Sequence, residues 1–335
     1  MKISLLSDLH IEHFESYQKF QDKYQERFHR KLLKEWPCED TGGADVLILA
    51  GDVANVKKES FKEFLEDVSQ QFKHVLYVAG NHEFYGNEYY SCVENMKQVC
   101  KEFNNVHFLD QSVVEIQDDE TGEVIVFIGC ILWSQIRQES QNYVEKSMND
   151  YKKIKIQHNM TMSEEVNLTT NDTNKWFEEQ LQFIERQLDI VKKQENKRAI
   201  VVTHHAPLTK GVSDPKYENS TNEWTRQLNM AFGTDLSHLM GPPVIAWFFG
   251  HTHFSSRQCC RNTIVASNQL GYLFGNLDQT NELFDGFWIL DTNQMDYSKF
   301  KEVNLQKSME PTTMDAVAST NSNSNHNHKK KCLCM

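Results

Sequence analysis

The sequence of 335 residues has few of the features that mark membrane-spanning and secreted proteins. No segment approaches the roughly 18 uncharged apolar residues that a membrane-spanning helix needs. The first ten residues, MKISLLSDLH, are too short and become acidic too early for a secretory signal. We therefore expect a cytoplasmic protein.

Positive charge and paired cysteines are also scarce. With 35 Lys and Arg against 47 Asp and Glu, the net charge is -12. An extended nucleic-acid surface is not expected, because such surfaces depend on clustered Lys and Arg. Among the eight cysteines, the adjacent Cys259 and Cys260 have no CxxC partner. This pattern predicts reduced thiols rather than disulfides or a thiolate zinc site.

The chain does contain a series of apolar, β-branched runs, each followed by turn residues. They cover residues 2–7, 45–50, 74–79, 124–132, 199–203 and 244–249. Nearly continuous apolar runs are typical of strands that are buried on both faces. Helical patterns lie between them: a capping box Ser60-x-x-Glu63 predicts one helix, and residues 89–103 and 174–194 predict two more. Alternating strands and helices predict an α/β fold with a largely parallel sheet.

Other segments depart from this alternation. Residues 262–267 and 286–290 have no long helix between them and are predicted to be antiparallel meander strands. Residues 14–36 carry aromatic side chains at helical spacing, which favours core packing over substrate contact. The polar insertion 133–172 is of a kind that often forms a lid or a binding rim. From residue 306 the periodicity disappears, so we expect a domain over 1–305 and a disordered tail over 306–335.

Metal-ligating residue types follow five of the predicted strands. The motifs are Asp8-Leu9-His10, Gly51-Asp52, Gly80-Asn81-His82-Glu83, His204-His205 and Gly250-His251-Thr252-His253. Each motif alone has an ordinary explanation as a turn or a helix cap. Ligands of open α/β sheets, however, bind at the carboxyl ends of the strands. Five such motifs at five strand ends therefore predict a metal site.

Taken together, these motifs resemble those of the calcineurin-like metallophosphoesterase superfamily, whose pattern is DxH, GD, GNH with Asp or Glu, a later His, and GHxH. The segments NHEFYG and THHAP are similar to its small stand-alone phosphohydrolases. The resemblance covers the chain from Met1 to about Leu290. It implies a sandwich of two β-sheets flanked by helices, and hydrolysis of a phosphomonoester or a phosphodiester.

The resemblance also implies two divalent metal ions. The first would be held by Asp8, His10, Asp52 and His253, and the second by Asp52, Asn81, His204 and His251, with Asp52 as the bridge. Imidazoles mixed with carboxylates suit Mn, Fe or Zn. In such a site a hydroxide that bridges the ions attacks phosphorus. Two ions (+4) with Asp8 and Asp52 (-2) leave about +2, which attracts phosphate.

His82 is expected to act as the general acid that protonates the leaving group, because the metal ligand Asn81 precedes it. Asn55 stands where Ser/Thr protein phosphatases of the superfamily have the acidic partner of this histidine. The chain also lacks their phosphate-binding arginines after GD and NHE. These departures weaken a phosphoprotein phosphatase assignment, which remains an alternative.

Two further residues have two interpretations each. Glu83 either orients a neighbouring side chain or occupies the first turn of the next helix. His204 is assigned to the metal by register, and His205 either contacts phosphate or packs beside the site.

The last four residues, Cys332-Leu333-Cys334-Met335, fit a CaaX signal after three lysines. Prenylation of Cys332 would give reversible attachment to the cytoplasmic face of a membrane. A membrane-tethered scaffold without catalysis is therefore the third alternative, although the complete ligand set argues against it.

Overall fold

The computed structural model describes residues 1–33, 43–157, 165–273 and 283–303. The strands in these ranges are β1 Lys2–Leu6, β2 Val46–Ala50, β3 His74–Val78, β4 Asn87–Glu88, β5 Val106–Phe108, β6 Ser112–Gln117, β7 Val124–Gly129, β8 Ile154–Ile156, β9 Val166–Asn167, β10 Lys197–Val202, β11 Val244–Phe249, β12 Ser256–Cys260, β13 Thr263–Ser267, β14 Ile289–Asp291 and β15 Lys301–Glu302. The α-helices are α1 Tyr17–Phe28, α2 Glu59–Ser69, α3 Tyr89–Cys100, α4 Gln138–Ser147, α5 Asp150–Lys153, α6 Thr170–Val191, α7 Pro215–Glu218 and α8 Glu223–Leu228. The predicted disordered tail, including Cys332, lies outside the described residues.

Two large sheets contain most of the strands. The first has the order β14-β1-β2-β3-β5, and the second has the order β15-β12-β13-β11-β10-β7-β6. In the first sheet β1, β2, β3 and β5 are parallel to one another. In the second sheet β7, β10, β11 and β13 are parallel. The predicted α/β fold with two sheets flanked by helices is confirmed.

Both sheets contribute alternate residues to one buried cluster. Ile48 and Leu76 from the first sheet and Phe127, Ile200 and Phe248 from the second belong to it, and all five side chains are fully buried. Burying a side chain of this kind contributes roughly 1.5–3 kcal/mol to stability. Residues of the opposite strand faces belong to a second cluster, which includes apolar residues of the helices. This two-sided packing fixes the strand ends of one sheet relative to those of the other.

The helix prediction was wrong about one cap. Ser60 lies inside α2, which has Lys58 as its N-cap and no side-chain capping bond. A capping box instead opens α6, where Thr169 accepts from the Asp172 amide and the Asp172 side chain accepts from Thr169. Thr169 has the extended backbone that an N-cap requires. Helix α6 therefore begins four residues before the predicted start.

The two late strands do not form a meander. Strand β13 pairs in parallel with β11 and antiparallel with β12, and β14 pairs antiparallel with β1 in the other sheet. The prediction overlooked β12, whose first residues, Ser256 to Gln258, are polar. The chain therefore crosses from the second sheet to the first between β13 and β14.

The two segments that depart from the alternation, 14–36 and the insertion 133–172, have different places in the fold. In the first, the aromatic residues Phe20 and Tyr24 of α1 are buried in the core, so the expected packing role is confirmed. The second segment supplies α4, α5 and two strands of a small sheet, β4-β8-β9. Within the described ranges, no helix has both the length and the apolar character that crossing a membrane would require.

Candidate metal centre

The five motifs lie at the carboxyl ends of strands from both sheets. Those of β1, β2 and β3 belong to the first sheet, and those of β10 and β11 belong to the second. Backbone hydrogen bonds join the loops within each sheet. The amide of Asp8 donates to the carbonyl of Gly51 (3.0 Å), and that of Gly250 donates to the carbonyl of His204 (2.9 Å). The motifs therefore converge on one junction between the two sheet edges.

A first group of donors at this junction consists of Asp8, His10, Asp52 and His253. Their ligand atoms all lie within 4.8 Å of one another. Nε2 of His10 approaches Nε2 of His253 to 2.9 Å, and the latter lies 3.6 Å from Oδ1 of Asp8. The structure thus brings together the four residues that the sequence assigns to the first ion.

A second group consists of Asp52, His204 and His251, again with ligand atoms within 4.8 Å of one another. Oδ1 of Asn81 lies 3.0 Å from Nε2 of His204. The Nδ1–H of His204 donates to the carbonyl of Ala50 (2.8 Å), which turns Nε2 toward the site. The structure thus brings together the four residues that the sequence assigns to the second ion.

Asp52 is shared by the two groups because its two oxygens face different imidazoles. Oδ2 lies 3.9 Å from Nε2 of His10, whereas Oδ1 lies 3.5 Å from Nε2 of His204. Burial alone would raise the pKa of Asp52, but the His204, His82 and His10 imidazoles outweigh it and hold that pKa well below its usual range. Asp52 therefore lies between the two donor groups.

The donor atoms fit a pair of metal ions. Nε2 of His204 faces the amide oxygen of Asn81, and Nε2 of His10 faces Nε2 of His253. Such pairs of electron-rich atoms need a proton or a cation between them. Buried Nε2 of His251 has no hydrogen-bond partner in the described part of the chain. Mixed imidazole and oxygen donors of this kind suit Mn, Fe or Zn.

Several of the candidate ligands have strained backbones. The left-handed region is occupied by Asp8 (φ 54°), His10 (51°), Asp52 (52°), His251 (71°) and His253 (48°). Residues other than glycine seldom adopt this conformation, and when they do they cluster at functional sites. The backbone turns sharply after each strand and directs these side chains into the junction.

Two motif glycines leave room for the ligands. A Cβ atom on Gly80 would lie 2.2 Å from Oδ1 of Asp52, and one on Gly51 would lie 2.3 Å from Nδ1 of His204. Gly51 also has φ of +88°. A methyl group at either position would displace a candidate ligand.

Glu83 holds the loops of two motifs together. Its buried carboxylate accepts from the amides of Asp52 (3.1 Å), Val53 (2.8 Å) and Gly80 (2.9 Å). Burial raises the pKa of Glu83 to about 8, with a further contribution from the Asp52 carboxylate. Of the two interpretations, these contacts favour the one in which Glu83 orients its neighbours.

Glu12 is a residue that the sequence analysis missed. Its Oε1 accepts from Nδ1–H of His82 (3.1 Å) and from Nδ1–H of His10 (3.1 Å). One carboxylate therefore fixes both the candidate general acid and a candidate ligand. Burial lowers the pKa of His82, but the Asp52 and Glu12 carboxylates raise it to about 9 on balance. The only signal in the sequence is that Glu12 comes two residues after His10.

Asp150 is a second missed residue, and it comes from the polar insertion. Its Oδ1 accepts from the amide nitrogen of Asn81 (2.7 Å) and from the Tyr85 hydroxyl (2.6 Å). Because the Asn81 nitrogen is held in this way, its oxygen points toward His204. Asn55 instead donates to the carbonyl of Tyr85 (3.0 Å). The acidic partner of His82 is therefore Glu12, not a residue at position 55.

Aromatic rings form the walls of the junction. Tyr272 packs against His10 (ring centroids 4.5 Å apart) and His253 (4.7 Å), and Phe232 stacks on His251 (4.9 Å). His205 packs against His251 (4.1 Å) but belongs to neither donor group. This placement favours the packing interpretation of His205.

Comparisons with known proteins give matches in both sequence and fold. Residues 1–255 match the family model described as calcineurin-like phosphoesterase. The chain is 38% identical over 237 residues to uncharacterized protein L509 of Acanthamoeba polyphaga mimivirus. The aligned region covers 68% of this chain and 78% of that protein. The fold is similar to that of phosphopantetheinyl hydrolase from Mycobacterium tuberculosis, with a TM-score of 0.56, 14% identity, and coverage of 93% of this chain and 98% of that one.

Proposed function

Because the chain belongs to the calcineurin-like phosphoesterase family, whose members hydrolyse phosphoester bonds, we propose that its sheet junction hydrolyses a small phosphoester with His82 as the general acid. The observation that carries this proposal is the position of Asp52 between two groups of imidazole donors. When bound there, two divalent ions supply Lewis-acid activation of water and neutralise charge on the phosphoryl group. Asp8, His10, Asp52 and His253 would hold one ion, and Asp52, Asn81, His204 and His251 the other.

His82 contributes the proton that the leaving group needs. With Nδ1–H donated to Glu12, Nε2 is the nitrogen that remains for the leaving-group oxygen. Asp52 and Glu12 together favour the imidazolium form, in which Nε2 carries a proton at neutral pH. General acids of this kind contribute roughly 10²- to 10⁴-fold to the rate.

The charge of the site favours a substrate with one negative charge. Three acidic side chains accompany Asp8 and Asp52 at the junction: Glu12, Glu83 and Asp150. Glu83, whose pKa is raised to about 8, is largely uncharged near neutral pH. Glu12 and Asp150 therefore cancel the +2 that two divalent ions with Asp8 and Asp52 would leave, and the His82 imidazolium adds one positive charge. A phosphodiester carries one negative charge and a phosphomonoester about two near neutral pH. We therefore propose a phosphodiester as the preferred substrate class.

Metal removal tests this function. The protein is freed of metal with a chelator, reloaded with Mn²⁺, and assayed on bis-p-nitrophenyl phosphate and p-nitrophenyl phosphate. We expect hydrolysis that requires metal, with the larger kcat/KM for the diester. Hydrolysis that survives chelation, or none of either ester after reloading, would contradict the phosphoesterase proposal. A larger kcat/KM for the monoester would contradict only the substrate class.

Glu12→Gln tests how His82 is held. The variant removes the charge that favours the imidazolium form, so the pKa of His82 should fall. The decline of kcat at high pH is then expected to begin at lower pH, with kcat reduced roughly 10-fold or more for an alkyl phosphodiester. Glu15→Gln, an exposed neighbour, is the matched control. Unchanged pH profiles for Glu12→Gln would show that Glu12 does not act through His82.

A further inference from the structure

A third group of metal-ligating side chains lies beside the two donor groups. Oε1 of Glu12 is 3.1 Å from Nδ1 of His82 and 3.5 Å from Nε2 of His13. Together with His10, these residues have ligand atoms that all lie within 4.8 Å of one another. His13 belongs to neither of the other groups and has no part in the proposed hydrolysis.

Two distances within this group are compatible with a zinc site. Zinc binds nitrogen and oxygen at about 2.0–2.1 Å in a tetrahedron, which places neighbouring ligand atoms about 3.3 Å apart. The observed 3.1 Å and 3.5 Å lie on either side of that value. Two imidazoles, one carboxylate and an open fourth position form a common zinc ligand set.

His10 supports this group without serving it as a ligand. Its Nε2 faces His253 in the first donor group, and its Nδ1–H donates to Glu12. Glu12 has a further acceptor available, because its buried Oε2 has no hydrogen-bond partner among residues 1–33, 43–157, 165–273 and 283–303. The His13 side chain is 36% exposed, so an ion can enter from solvent.

We propose that Glu12, His13 and His82 bind a third divalent ion, zinc, when zinc exceeds the two equivalents at the sheet junction, and that this ion inhibits hydrolysis. The inhibitory part rests on the proposed function of His82. An ion on Nδ1 would replace the hydrogen bond by which Glu12 orients the His82 ring, so Nε2 would no longer be held toward the leaving-group oxygen. Repulsion from the two nearby ions makes this site weaker than theirs.

Counting bound zinc tests the site directly. The full chain, freed of metal, is dialysed to equilibrium against rising Zn²⁺ and analysed for zinc content. We expect three equivalents for the native protein, the third bound more weakly, and two for His13→Ala. The matched control His238→Ala removes an exposed imidazole that belongs to none of the donor groups, and it should bind three. Two equivalents in all proteins, or three in all, would overturn the proposal.

Rates measured in the same series test the inhibition. Each protein's rate on an alkyl phosphodiester in excess zinc is divided by its own rate at two equivalents. We expect the ratio to fall at least about 10-fold for the native protein and for His238→Ala, and to stay near one for His13→Ala. An equal fall in His13→Ala would refute inhibition through this site. If three equivalents bind but no ester is hydrolysed, the proposed function fails while the zinc site stands.

Discussion

Asp52→Ala is expected to lose most of its bound metal and to hydrolyse phosphoesters at the background rate. The carboxylate faces both donor groups, so its removal takes one ligand from each ion. It also removes the negative charge of the Asp52 carboxylate, which lies between the imidazoles of His10 and His204. Since even residues that only support a ligand are worth 10- to 100-fold in metal affinity, we expect a loss of at least about 100-fold. Elemental analysis after dialysis and kcat/KM on bis-p-nitrophenyl phosphate measure the two effects.

Two further variants serve as controls for Asp52→Ala. Asp52→Asn keeps the shape of the side chain but not its charge, and should also lose metal. Asp189→Ala removes an exposed aspartate from α6 and should retain both ions. If Asp52→Asn kept two tightly bound ions and full turnover, Asp52 would not be the bridging ligand.

His82→Ala is expected to keep its metal and to lose turnover selectively. The general acid matters most for a poor leaving group, so kcat on an alkyl phosphodiester should fall roughly 10²- to 10⁴-fold. The fall on bis-p-nitrophenyl phosphate should be much smaller, because p-nitrophenolate leaves without a proton. The measurement is the ratio of kcat on the alkyl phosphodiester to kcat on bis-p-nitrophenyl phosphate, together with the metal content of the variant.

The control for this variant is His74→Ala, which removes a partly buried imidazole at the start of β3, the opposite end from the motif. Its kcat values on the alkyl phosphodiester and on bis-p-nitrophenyl phosphate should fall by the same factor or not at all. An equal loss on both esters in His82→Ala would indicate damage to the site rather than a missing proton donor.

Local patterns in the sequence were sufficient to predict most strands and the ends at which ligands lie. Strand β11 has the predicted bounds, and the other five runs differ by one to three residues at their ends. These strands are buried on both faces over most of their length, so each is a nearly continuous apolar run. The polar start of β12 and the crossing of β14 to the other sheet depend on tertiary pairing, which no local pattern records.

The residues that support the candidate ligands could not be predicted in the same way. Asp150 reaches Asn81 from an insertion 69 residues further along the chain, and Glu12 reaches His82 across 70 residues. Most carboxylates in polar segments are simply solvated or cap turns, so the residue type alone does not identify one that supports a metal ligand. For the same reason, the charge of about +2 expected from two ions with Asp8 and Asp52 does not count acidic groups such as Glu12 and Asp150, which only folding brings near.

The left-handed conformation of five candidate ligands has a consequence for how the chain can change by mutation. At roughly 1 kcal/mol each, these residues together cost about 5 kcal/mol, which approaches the whole net stability of many domains. Glycine at any one of the five positions would relieve that position's share, roughly 1 kcal/mol. A lineage that no longer needed the imidazoles and carboxylates would gain stability by discarding them. Ions bound by these five side chains would therefore offset a strain that the backbone alone does not explain.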